Sequence, residues 1–208
     1  MRTPILHIPL TWVVTAWGLT VASGLLLLSV YGAQPGELGS PPERWPEESR
    51  IPRVPGRVNL ILFLHPRCPC SRSSIAELGT LLEQFQDPVA VHAVLLQYES
   101  LPGEEEDYRR LIASRLGVEA QDDREGAEAD RFGVSTSGHL LVFEESGRLS
   151  FSGGITPSRA HRGPNDGSRW LRFRFGGGPP ASQDTHAVFG CALGSPRFAW
   201  KPAGEPLP

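Results

Sequence analysis

Two cysteines separated by one proline are the residues of this sequence whose type and spacing best suit chemistry. Cys68 and Cys70 lie in the segment FLHPRCPCSR, between a continuous apolar run and an amphipathic stretch. These patterns predict a buried strand followed by a helix, and the unpaired backbone N–H groups of a helix N-terminus lower the pKa of a nearby thiol. Arg67 and Arg72 add positive charge. Because the thiolate is the reactive form of cysteine, the segment predicts redox chemistry at Cys68.

Other interpretations of the cysteines stay open at this level. Cys68 and Cys70 could be inert thiols or could bind Cu(I) or zinc, although the usual zinc spacing of about two to four intervening residues is absent. The third cysteine, Cys191 in VFGCAL, is either a resolving cysteine that the C-terminal region returns to the site or a buried hydrophobic side chain. The segment SGGITPSRAH (152–161) either folds over the site or forms an ordinary loop.

The segments that must position these residues alternate between strand and helix patterns. Continuous or alternating apolar runs predict strands at 58–64, 89–96, 117–122, 139–143 and 148–152. Apolar residues at helical intervals predict helices at 75–85, 104–116 and 124–132. In the last strand, Leu149 and Phe151 are both expected to face inward. The order predicts an α/β fold with a mixed sheet flanked by helices.

The N-terminal region contains a long uncharged apolar segment. Asp, Glu, Lys and Arg are absent from Thr3 to Gly36, and the most apolar part is residues 10–31. A helix of this length spans a hydrocarbon core of ~30 Å, so we expect one transmembrane helix after a short tail, residues 1–9. A cleaved signal peptide is the alternative. Arg2 precedes the span, and the positive-inside rule therefore predicts that the remainder lies outside the cytoplasm.

Composition limits what the other regions can form. The 208 residues include 23 Gly and 20 Pro, which predicts long irregular stretches and excludes a coiled coil. The net charge of −3 gives no indication of nucleic-acid binding. Residues 32–56 are rich in proline without an apolar period, so they predict an extended linker that buries no core, in which Trp45 makes a local surface contact. Residues 157–208 predict a Gly/Pro-rich extension.

The strand–cysteine–helix segment and the hairpin FGVSTSGHLLVF–ESGRLSF resemble the thioredoxin-like superfamily over residues 57–156. More narrowly, FLHPRCPCSRSSIAEL, TSGHLLVF, LSFSGGITPSRAH and VFGC are similar to bacterial RedB-type thioredoxin-fold proteins. The resemblance implies a thioredoxin-like domain and thiol–disulfide exchange with a protein partner. We expect no cofactor.

The sequence departs from the superfamily's pattern at two positions. Alignment with a Cys-x-x-Cys site places Ser71 at the second cysteine, so the resemblance supports Cys68 as the nucleophile and transfers no resolving residue. Gly138 stands where the superfamily has a cis-proline. His139 follows it, and is either a proton carrier or metal ligand near Cys68 or a hydrogen-bonded residue at the start of a strand.

The sequence therefore leads to one main hypothesis and two alternatives. The main hypothesis is a membrane-anchored thiol–disulfide oxidoreductase acting outside the cytoplasm, in which Cys68 attacks a partner's disulfide and Cys70 or Cys191 resolves the mixed disulfide. One alternative is a copper or other metal chaperone that uses Cys68, Cys70 and His139 as ligands. The other is a peroxiredoxin-like peroxidase with a sulfenic acid at Cys68.

Overall fold

The computed structural model describes residues 9–85, 89–97, 105–178 and 183–193, which divide after Gln34 into an N-terminal helix and a larger α/β unit. Helix α1 (Leu10–Ala33) has 24 residues, carries no charged side chain and buries none of its residues. Its mean hydropathy is 1.9, so by length and composition it can cross a membrane.

One mixed sheet organises the larger unit. Its described strands are β1 (Asn59–Leu64), β2 (Ala90–Gln97), β3 (Ala120–Arg124), β4 (His139–Phe143), β5 (Leu149–Gly154) and β6 (Asp184–Thr185). Their order across the sheet is β3-β2-β1-β4-β5-β6. Strands β1, β2 and β3 are parallel, whereas β4 runs antiparallel to both β1 and β5. The predicted mixed α/β sheet is confirmed.

Helices and irregular segments cover both faces of this sheet. The described helices of the unit are α2 (Pro69–Leu82), α3 (Glu105–Leu116), α4 (Ala127–Arg131) and α5 (Asp166–Phe175). Apolar side chains of α2, α3 and α5 pack on one face with Leu62 and Leu140, and those of α4 pack on the other with Ile61 and Leu141. Because neighbouring strand residues point to opposite faces, a strand covered on both sides is continuously apolar, as β1 is.

A bulge changes how β5 presents its side chains. Val142 is paired with Phe151, but Phe143 is paired with Leu149, so β5 has one extra residue at this point. Phe151 consequently packs with the α2 face and Leu149 with the α4 face. Both residues are buried, as expected, but they lie on opposite faces of the sheet, because strict alternation does not hold across a bulge.

Residues 35–56 lie against the sheet instead of extending away from it. The Trp45 N–H donates to the Gly147 carbonyl over 2.9 Å. The Trp45 ring meets the rings of Phe132 and Phe143 edge to face, with centroids 5.3 and 5.2 Å apart. Ile51 is 3% exposed. This segment therefore does bury core residues, since isolated apolar side chains and backbone hydrogen bonds hold it without any apolar period.

The region after residue 156 also contributes to the core. Trp170, Leu171 and Phe175 of α5 are buried in the α2 face, and β6 pairs with β5. The compact unit is thus larger than the 57–156 core that the sequence outlines. A signal for α5 was present, because the side chains of Asn165 and Ser168 cap each other's backbone N–H groups at its N-terminus.

Trp45→Ala should lower the free energy of unfolding by about 2–4 kcal/mol, because it empties the space between two buried phenylalanine rings. Urea denaturation of the full-length protein in detergent measures this change. Glu47→Ala is the matched control in the same segment, and with an exposed side chain it should change stability by less than about 0.5 kcal/mol. Equal stability of the two variants would show that residues 35–56 do not pack as described.

Candidate functional site

Cys68 lies between the end of strand β1 and the first residue of helix α2. Strand β1 ends at Leu64, Cys68 is the N-cap residue, and Pro69 takes the first helical position, for which its fixed φ and missing N–H are suited. The Cys68 carbonyl accepts a hydrogen bond from the Tyr108 hydroxyl on α3 over 2.7 Å. Burial raises the pKa of Tyr108 to about 12, so its hydroxyl stays protonated and able to donate.

The tertiary structure brings the other two cysteines to Cys68. All three are free thiols, and hydrogen bonding from the Cys191 and Cys70 thiols is the largest cause of a lowered pKa at Cys68. The Ser137 side chain and the Ser71 backbone lower it further, and the Ser71 N–H donates to the Cys68 carbonyl over 3.0 Å. Together these donors hold the pKa of Cys68 far below the ordinary value for a thiol, although burial acts in the opposite direction.

The same hydrogen bonds raise the pKa of the two thiols that donate them. The pKa values of Cys191 and Cys70 are raised, first because each gives its proton to the Cys68 sulfur and then because of burial. The thiolate is therefore favoured at Cys68, and the neutral thiol is favoured at Cys70 and Cys191.

Arg67 and Arg72 make contacts other than those expected from the sequence. The Arg67 backbone N–H donates to Nδ1 of His65 over 3.0 Å, and the Arg72 guanidinium lies 4.5 Å above the Tyr108 ring. The predicted direction of the Cys68 pKa shift agrees with the structure. Its largest causes are thiol hydrogen bonds, which the sequence analysis did not anticipate.

Cys191 reaches the site because residues 186–193, here called the C-terminal segment, pair with the loop before β4. The Ser137 N–H donates to the Cys191 carbonyl over 2.8 Å, and the Cys191 N–H donates to Ser137 Oγ over 3.0 Å. The Leu193 N–H donates to the Ser135 carbonyl over 2.9 Å. A Cβ atom on Gly190 would lie 1.9 Å from the Ser137 carbonyl oxygen, so only glycine permits this close approach.

Gly138 also occupies a position that does not accommodate a side chain. Its φ is +81°, a left-handed conformation that favours glycine. Its N–H donates to the Phe63 carbonyl over 2.7 Å, and a Cβ atom would lie 2.7 Å from Ser74 Oγ. This residue thus fixes the loop that carries Ser137 against the end of β1.

His139 is oriented away from the cysteines. Nε2 of its ring lies 2.8 Å from Ser152 Oγ on β5, while the next residue, Leu140, points into the α2 face. Burial lowers the pKa of His139 to about 4, so the ring is neutral at neutral pH. These observations fit a hydrogen-bonded strand residue and give no support for proton transfer to Cys68.

A loop after β5 meets Cys70 from the other side. The Ala160 N–H donates to Cys70 Sγ over 3.3 Å, with Ala160 in the left-handed conformation at φ +59°. Arg159 Nη1 donates to the Gly190 carbonyl over 2.5 Å, and the Arg159 charge lowers the pKa of Cys70 and of Cys191 against the stronger opposing causes. The segment 152–161 therefore does fold over the site, and the sequence did not single out Arg159 or Ser137.

Within the described residues, no group of three or more His, Cys, Asp or Glu side chains is arranged to hold a metal ion.

Ser137→Ala should raise the pKa of Cys68, because the sulfur loses a charge-assisted hydrogen bond worth about 1.5–3 kcal/mol. The ultraviolet absorbance of the thiolate, recorded against pH, measures the change. Ser71→Ala is the matched control: its side chain accepts from the His65 N–H, whereas its bond to Cys68 comes from the backbone and is retained. An unchanged titration in Ser137→Ala would contradict the role given to this hydroxyl.

Comparisons with known proteins relate this chain to others by fold. No protein family and no curated protein matches the sequence. An uncharacterised conserved protein from Geobacillus kaustophilus is similar at 18% identity with a TM-score of 0.54, over 83% of this chain and 95% of that chain. A thiol-disulfide isomerase from Corynebacterium glutamicum is similar at 13% identity with a TM-score of 0.40, over 67% and 92%. StoA from Bacillus subtilis is similar at 14% identity with a TM-score of 0.40, over 68% of this chain and 98% of that chain.

With its mixed sheet, its strand order and a helix that begins at Cys68, the chain has a thioredoxin-like fold.

Proposed function

We propose that this protein is a thiol–disulfide oxidoreductase whose reactive group is the thiolate of Cys68. The observation that carries the proposal is the convergence of two thiols, Cys70 and Cys191, on the Cys68 sulfur. Disulfide exchange needs a stabilised thiolate with a second thiol in reach, because the second thiol converts a mixed disulfide into an internal one. The resemblance of the strand–cysteine–helix segment to the thioredoxin-like superfamily supports the same class of activity.

In the proposed reaction, two electrons pass between the enzyme and a partner protein. The oxidised enzyme holds a disulfide between Cys68 and either Cys70 or Cys191. A partner thiolate attacks this disulfide, which forms a mixed disulfide and releases one enzyme thiolate. The partner's second thiolate then attacks the partner sulfur of the mixed disulfide. The partner leaves as a disulfide and both enzyme sulfur atoms are reduced; the reverse sequence reduces a partner disulfide.

Cys68→Ser should lower the rate of disulfide reduction by more than about 100-fold, because it removes the stabilised thiolate. The measurement uses the full-length protein in detergent micelles, with insulin as the disulfide substrate and dithiothreitol as the reductant. Glu47→Ala, with an exposed side chain outside the site, serves as the control and should keep most of the activity. Wild-type activity in Cys68→Ser, or no activity in the wild type, would refute the proposal.

The same preparations separate this function from its two alternatives. Consumption of peroxide by the wild type, with a sulfenic acid at Cys68 and no insulin reduction, would favour a peroxidase. Stoichiometric binding of Cu(I) by the reduced protein without disulfide exchange would favour a copper chaperone.

We also propose that α1 anchors the protein in a membrane with the α/β unit outside the cytoplasm. The support is the length and apolar character of Leu10–Ala33 and the position of Arg2 before it. An oxidising compartment would allow a disulfide between two of the three cysteines to persist.

Topology reporters fused after Leu38 and at the C-terminus should both give the signal of the exported side. A membrane fraction that retains the full-length chain would agree with an uncleaved anchor. A cytoplasmic signal from either fusion would contradict the orientation, and release of a shortened chain into the soluble fraction would indicate a cleaved signal peptide.

A further inference from the structure

The three cysteine residues of the site differ in their exposure to solvent. Cys68 is 0% exposed and Cys70 is 4% exposed, whereas Cys191 is partly exposed. Disulfide exchange requires contact between the attacking and the attacked sulfur, so accessibility helps to decide which sulfur is attacked. The cysteine of lowest pKa is therefore the least exposed of the three, and Cys191 is the most exposed.

The C-terminal segment that carries Cys191 is firmly anchored. Beyond its bonds to residues 135–137, the Val188 carbonyl accepts from the Gly36 N–H over 2.7 Å, and Arg159 holds the Gly190 carbonyl. Val188 and Leu193 are 0% and 1% exposed. Removing the segment to uncover Cys68 would break these bonds and expose both apolar side chains, so we expect the segment to stay in place during the reaction.

The groups around Cys68 make it a good leaving group, because in thiol–disulfide exchange the thiol of lower pKa leaves faster. If a disulfide joins Cys68 and Cys191, attack on the Cys191 sulfur releases Cys68 as a thiolate. The hydrogen bond from the Cys191 thiol is then absent, but Cys70, the Ser137 side chain and the Ser71 backbone still lower the pKa of Cys68. Attack at Cys68 would instead meet a fully buried residue and release Cys191, whose pKa is raised by burial.

We propose that the partner protein exchanges its sulfur with Cys191, and that Cys68 is the internal partner which leaves as thiolate. This inference rests on the proposed function and specifies its intermediate. A partner thiolate attacks the Cys191 sulfur of the Cys68–Cys191 disulfide, the S–S bond to Cys68 breaks, and Cys68 leaves with the electron pair. The partner's second thiolate then attacks the partner sulfur of the mixed disulfide. Cys191 leaves as thiolate and takes up one proton, which it shares with Cys68 in a hydrogen bond.

The experiment locates the mixed disulfide directly. Full-length protein in detergent is oxidised with diamide, treated briefly with a peptide that carries one cysteine, quenched with acid and mapped by mass spectrometry. We expect the oxidised protein to contain a Cys68–Cys191 disulfide, and the peptide to be attached to Cys191 in at least about tenfold excess over Cys68 and Cys70. Attachment mainly at Cys68 or Cys70, or an oxidised protein without the Cys68–Cys191 disulfide, would overturn the inference.

Two variants sharpen the test. Cys70→Ser removes a thiol that can rearrange the product, and the peptide should remain on Cys191. Cys191→Ser leaves only the two buried cysteines, so oxidised Cys191→Ser should react with the peptide at least about tenfold more slowly than the wild type. A faster reaction in Cys191→Ser would mean that the C-terminal segment only shields Cys68, which overturns the inference.

Failure of this inference is distinguishable from failure of the proposed function. Insulin reduction that depends on Cys68, together with peptide attachment at Cys68, would overturn the role of Cys191 and leave the oxidoreductase proposal standing. A wild-type protein that reduces no insulin disulfide would overturn the proposed function itself.

Discussion

Hydrogen bonds from two thiols to the Cys68 sulfur are the interaction on which this site depends. They place one negative charge on the sulfur that is most deeply buried and leave protons on the other two. Burial alone would favour a neutral Cys68, so the site needs several donors close together to hold the thiolate. Cys68 is consequently the thiolate, whereas Cys191 is the more exposed cysteine. For this reason we expect a sulfur from outside to react at Cys191.

The surrounding fold supplies each of those donors from a different element. The first turn of α2 brings Cys70 and the Ser71 N–H, the loop before β4 brings Ser137, and the C-terminal segment brings Cys191. Two glycines make the assembly possible, since Gly138 permits the left-handed turn beside β1 and Gly190 permits contact with the Ser137 carbonyl. The site therefore forms where these backbone segments contact one another, and less as a pocket lined by side chains.

The pattern of apolar residues allowed much of the fold to be predicted. The strands at β1, β2 and β4 and the helices α2 and α3 lie close to their predicted positions, because a strand buried on both faces and an amphipathic helix each leave a periodic signal. The start of α2 at Cys68 was predictable for the same reason, and with it the direction of the pKa shift. A bulge in β5 and the packing of residues 35–56 were not predicted, since neither has such a period. Helix α5 was not predicted either, although its capping residues and its apolar face were present in the sequence.

By itself the sequence determined an α/β sheet, an apolar N-terminal helix and a cysteine at the N-terminus of α2, all of which follow from residues adjacent along the chain. Only the tertiary structure decided that Cys191 and Ser137 contact Cys68, that Arg159 holds the C-terminal segment, and that His139 faces away from the site. These contacts join residues far apart in the sequence through backbone hydrogen bonds and single close approaches. Such contacts leave no periodic trace in the sequence, so the three-sulfur site becomes visible only once the chain is folded.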